Sequence, residues 1–106
     1  MLPFEIKYGT YTGTGAALSS GINSIGFKPA FIIAFNQTDG DVAWFHIAGQ
    51  TAATAVSIDT EVAVETSACT LTSTGFTLGT NTVVNENGKV YVYLAVGSAT
   101  LAADGS

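Results

Sequence analysis

The sequence predicts an all-β protein, a small antiparallel β-sandwich of about seven to nine short strands forming one domain over residues 1–106. Three observations carry this. Apolar residues recur with a period of two, turn signals return roughly every ten residues, and no stretch shows the 3.6-residue period of a helix. A chain of 106 residues suits a single modest core, and its 12 glycines and 10% aromatic content favour strands and tight turns.

Phe4, Ile6 and Tyr8 alternate with Glu5 and Lys7, the period of a half-buried strand. Gly9-Thr10-Tyr11-Thr12-Gly13-Thr14-Gly15 reads as a loop or a thin, bulged strand. Gly13-Thr14-Gly15-Ala16-Ala17-Leu18 lacks the third glycine and the lysine of a phosphate-cradling loop, and no helical pattern follows it. Ile22 to Ile25 reads as a short strand ended by Gly26, and Pro29, without an amide hydrogen, belongs at a strand entrance. Phe31, Ile33 and Phe35 face one way and Ile32 the other, between Ala30 and Ala34. Apolar residues on both faces predict a central strand buried from two sides. The Asp39-Gly40 turn signal should return the chain as Val42 to Ile47, with Trp44 and Phe45 on opposite faces.

Ala48 to Ala55 is small and featureless, a loop. Val56 and Ile58 alternate with Ser57 and Asp59, and Val62 and Val64 with Glu61 and Glu65, as in strands with one wet face. Leu71, Phe76 and Leu78 continue the pattern around Ser73-Thr74-Gly75. Asn87-Gly88 is a second hairpin signal, expected to take positive φ at both residues. After it, Val90, Val92, Leu94 and Val96 share one face and Tyr91 and Tyr93 the other.

The charge content excludes several functions. The net charge is −5 and the cations are three lysines, so there is no basic cluster for nucleic acid or anionic lipid. The run from Ala30 to Phe35 is the longest apolar one, far shorter than the ~20 residues of a membrane span. No secretory pattern opens the chain, so synthesis in a host bacterial cytoplasm is the expectation. Only 10% of residues are charged against 47% apolar, so much of the surface is expected to be covered by copies of the chain or by other proteins.

Catalytic and metal-binding patterns were weighed residue by residue. The lone Cys69 rules out an intrachain disulfide and reads as a buried, inert thiol. His46 is the single histidine, within a strand pattern, and no nucleophile elbow accompanies it. Glu61 and Glu65 share a strand face at about 13 Å, too wide for a glycosidase pair. Asn36, Asp39 and Asp41 could offer oxygen ligands to calcium but lack EF-hand spacing, and they are also ordinary turn residues. No catalytic residue, cofactor or metal is expected. The interface or ligand candidates are Tyr8, Tyr11, Trp44, His46, Tyr91 and Tyr93, since Tyr and Trp join rigid area to a polar handle. Core and cross-strand packing use the same residues.

Two blocks carry a family resemblance. Gly9 to Gly15 is answered by Gly26-Phe27-Lys28-Pro29 and the run to Phe35, and Gly75-Phe76-Thr77-Leu78-Gly79 by Asn85-Glu86-Asn87-Gly88 and Tyr91-Val92-Tyr93-Leu94-Ala95. Together they resemble a small β-domain of bacteriophage virion proteins, of the tail-fibre-tip or decoration type, and the second block looks like the closing hairpin of H-type lectin domains. The resemblance spans roughly residues 4 to 97 and implies a non-enzymatic virion protein that forms a homotrimer. A chain that starts within its β-domain leaves no shaft before it, which directs the expectation to a capsid decoration or cement protein. The alternative is a receptor-binding or lectin-like tail protein that holds a host glycan.

Overall fold

A computed structural model describes residues 5–40, 42–59 and 62–97. Phe4, Asp41 and Glu61, each part of a sequence expectation, lie outside the described residues. The elements are β1 (Glu5–Thr12), β2 (Pro29–Asn36), β3 (Ala43–Ile47), β4 (Thr54–Ile58), β5 (Val62–Thr66), β6 (Cys69–Leu71), β7 (Phe76–Leu78), α1 (Thr82–Asn85) and β8 (Val90–Gly97). Six strands form an antiparallel sheet in the order β1-β8-β2-β3-β4-β5, and β6 pairs with β7 in a second, two-stranded sheet. The fold is thus an antiparallel β-sandwich with one wide layer and one small one.

The small layer covers one face of the wide sheet. Phe76 of β7 meets Trp44 and Tyr93 edge-on, and Tyr11 stacks on Tyr91 with ring centroids 4.8 Å apart. Ile22, Phe27, Cys69, Leu78 and Val84 complete this core against Ile32, Ala34 and Ala95 of the sheet. Each large side chain buried here contributes about 1.5–3 kcal/mol. The polar handles are satisfied inside. The Tyr11 hydroxyl donates to the Val84 carbonyl at 2.7 Å and accepts from the Trp44 indole at 3.2 Å.

As expected, β2 is internal, flanked by β8 and β3, and it pairs with β3 across the turn at Asp39-Gly40. Asn36 is buried there, its side chain accepting from the Asp39 amide while Lys89 pairs with the Asp39 carboxylate at 3.1 Å. That is turn chemistry, and among the described residues no three His, Cys, Asp or Glu side chains cluster as a metal site.

Four expectations are corrected. Ile22 to Ile25 is not a strand; Ile22 plugs the core, and its carbonyl accepts from the Phe76 amide. A short helix, α1, exists where none was expected, capped by Asn81, whose side chain accepts from the Val83 amide. Asn87-Gly88 joins α1 to β8 rather than two strands, and of the pair only Gly88 has positive φ, at 81°. The Lys89 amide closes back on the Glu86 carbonyl, which is the pattern of a type II turn. The fourth correction concerns β4 and β5. Their polar residues face inward, with Ser57 buried and donating to Glu65 at 3.0 Å, while Val62 and Val64 face out.

Candidate functional site: an uncovered apolar sheet face

Strand pairing places the outward residues of the wide sheet in three rows. The middle row runs Tyr8, Leu94, Ile33, Phe45, Val56, Val64 across all six strands. Ile6, Val96, Phe31 and Ile47 form a second row, and Thr10, Val92, Phe35, Ala43, Ile58 and Val62 a third. Thr10 within the rows and Thr12 and Thr66 at the rim of the same face carry aliphatic hydroxyls, and no row holds a charged side chain. The small layer lies on the opposite face, so these rows are uncovered. All of the large apolar side chains that are exposed among the described residues belong to them, with Tyr8 at 76%, Val62 at 72% and Val64 at 69%.

The local cause is plain in the sequence. Strands β2 and β8 are apolar at nearly every position, so burying Ile32, Ala34, Tyr91 and Tyr93 on one side forces Phe31, Ile33, Phe35 and Leu94 to the other. Phe31 and Phe45 stack at 6.3 Å on the open side, and a depression of about 270 Å³ lies beside them between Tyr8, Phe35 and Leu94. An antiparallel sheet with one face in water normally alternates apolar-in and polar-out. Here the outward face is the apolar one.

Of the six residues singled out from the sequence, only Tyr8 lies on this face. Tyr11, Trp44, Tyr91 and Tyr93 are buried in the core between the layers, where they cannot meet a sugar or a partner unless the domain opens. The hydroxyls of Tyr11 and Tyr91 and the Trp44 indole find partners inside, and Tyr93 packs its ring edge-on against Phe76. His46 is buried too, its Nδ1–H donating to the Thr54 carbonyl at 2.6 Å, and it serves the loop before β4. The residues that sequence reasoning missed are the outward aliphatic ones, above all Val62, Val64, Ile58 and Leu94. Their signal was the apolar character of both faces of β2.

Burial favours the neutral form of Cys69, Tyr11 and Tyr93. Desolvation pushes the Cys69 thiol from 9.0 up to about 12 and moves the Tyr11 and Tyr93 hydroxyls in the same direction. The fold holds a proton that the unfolded chain releases, so this stability is complete below the unfolded value and is lost as pH rises toward the folded one. The thermal midpoint is therefore expected to fall as pH rises from about 9 toward 12, and native Cys69 to resist a thiol reagent that modifies it fully in denaturant. A flat midpoint over that window, or rapid native labelling, would contradict the assignment.

Among the described residues of this all-β sandwich, no buried side-chain polar atom lacks a partner, and the large exposed apolar side chains lie on one sheet face. The chain belongs to the DUF7483 family, a domain of unknown function, which it matches over residues 5–99. No curated protein and no solved structure matches it.

Proposed function

We propose that this chain is a non-enzymatic structural protein of a bacteriophage particle, built into a multi-copy assembly through its apolar sheet face, and that it decorates the capsid exterior as a cement protein. The uncovered face carries the reading, because apolar area of this extent gains free energy only when another surface excludes water from it. The particle itself comes from the resemblance of the two glycine and aromatic blocks to virion β-domains, which also favours a homotrimer. Many copies held at symmetric positions on a shell would convert modest contacts into firm attachment through effective concentration.

The alternative, a tail protein that recognises a host glycan, has lost most of its support. Four of its stacking platforms, Tyr11, Trp44, Tyr91 and Tyr93, are buried, and Tyr8 alone remains for a sugar ring. Quantitative gel analysis of purified particles of the encoding phage separates the two. Copies in the hundreds per particle are expected for capsid decoration. A handful of copies, with saturable binding of the purified protein to host cells, would move the protein to the tail.

A further inference from the structure

We infer that the apolar face is covered by the same face of a second copy of this chain, in a closed two-fold dimer rather than the homotrimer that the resemblance favours; this rests on the assembly reading above and names the partner. The first argument is area. With side chains of about 150–250 Å², the eight most exposed residues present roughly 900 Å², close to the ~800 Å² that each partner gives a stable interface. A face that runs from edge strand β1 to edge strand β5 without a polar break matches a second sheet of equal width. Two such sheets pack at about 10 Å with their side chains interleaved.

Charge is the second argument. A foreign partner is normally selected, and wrong ones rejected, by charge complementarity. This face has no charge with which to select, and what remains is complementarity to itself. The acidic residues of the described strands, Glu5 and Glu65, alternate with the outward residues and so point to the opposite face, where they do not oppose such pairing. Shape is the third. The depression of about 270 Å³ beside Phe35 and Ala43 has room for an aromatic ring, and Tyr8, exposed at its margin, can enter the same depression of a facing copy. Reciprocal insertion of that kind defines a closed, self-complementary contact.

Sedimentation of the purified chain tests this, with Leu94→Lys as the face variant and Thr80→Lys, exposed on the other layer, as the control. The wild type and the control are expected to sediment as one discrete species of two copies. Leu94→Lys is expected to raise the dissociation constant at least ~100-fold, because an unpaired ammonium would be buried in the contact. Val64→Lys at the far edge should act alike, and it keeps the test alive should Leu94→Lys not fold. Unchanged emission from the buried Trp44 shows that a variant is folded. A wild type that stays monomeric, or an oligomer indifferent to both lysines, overturns the inference. If that monomer binds undecorated particles and Val64→Lys does not, the assembly reading stands with a different partner; an oligomer with no affinity for particles has the converse meaning.

Discussion

Replacing Gly79 by alanine is expected to cost the domain a large part of its stability. A Cβ at this position would fall deep inside contact distance of the Ser67 carbonyl, and the obstacle is backbone, which cannot swing aside. The approach is clamped from several directions. The Gly79 amide donates to the Ala68 carbonyl at 2.7 Å and the Asn81 amide to the Ser67 carbonyl at 3.1 Å. Relief of the clash would part the chain leaving β5 from the end of β7, and so lift Phe76 and the small layer off Trp44 and Tyr93. A loss of about 3 kcal/mol or more is expected, against a total of 5–15 kcal/mol for such domains. Gly13 and Gly75 stand in the same position against the Glu86 and Ile22 carbonyls. Urea unfolding followed by Trp44 emission measures this, with Gly21→Ala as the comparison. Gly21 has φ of 82° but open space around it, so alanine there should cost only about 1–2 kcal/mol. Equal losses at the two sites would sink the close-approach account.

These glycines show what a sequence of this kind discloses. The hairpin β2–β3, the strand β8 and the turn at Ser73-Thr74-Gly75 were readable because period-two alternation and turn chemistry act between neighbours. Alternation also revealed that strands have two different faces. It could not say which face the second layer would cover, since that is decided by residues far away in the chain. Hence β4 and β5 were read with Ser57 and Glu65 in water and Val62 and Val64 inside, and the structure has them reversed. The aromatics were ambiguous for a related reason. A tyrosine or tryptophan with an unfilled polar handle suits a ligand site, and one with a buried acceptor suits a core. The acceptor of Tyr11 is the Val84 carbonyl, distant in sequence and invisible to spacing. Asn87-Gly88 announced a turn but not what the turn would join.

The two blocks that carried the family resemblance turn out to be physical partners. The Gly13 amide donates to the Lys89 carbonyl, the Gly88 amide to the Gly13 carbonyl, and the Gly15 amide to the Asn85 carbonyl. Glycines in the first block permit this approach to the second. Their recurrence is therefore a record of packing, which explains why they spoke to fold and were silent on chemistry.

At the centre of that junction, Asn85→Leu is expected to cost roughly 3 kcal/mol or more, although the two side chains are of similar size. Asn85 is fully buried. Its amide donates to the Ala16 carbonyl at 2.6 Å and the Gly79 carbonyl at 2.9 Å, and its oxygen accepts from the Thr14 amide at 2.8 Å. Leucine would take the partner from the Gly79 carbonyl and the Thr14 amide, each at about 1–3 kcal/mol, while the Ala16 carbonyl keeps the Thr14 hydroxyl. Asn87→Leu, on the exposed neighbouring turn, should change stability by no more than about 0.5 kcal/mol. Urea midpoints decide it, and a loss below ~1 kcal/mol at Asn85 would mean that water reaches the Gly79 carbonyl and the Thr14 amide. The same variant separates folding from assembly. Asn85 lies behind the sheet, away from the open face, so whatever fraction of Asn85→Leu remains folded should still associate as the wild type does. Leu94→Lys should do the reverse, keeping the fold while losing the partner.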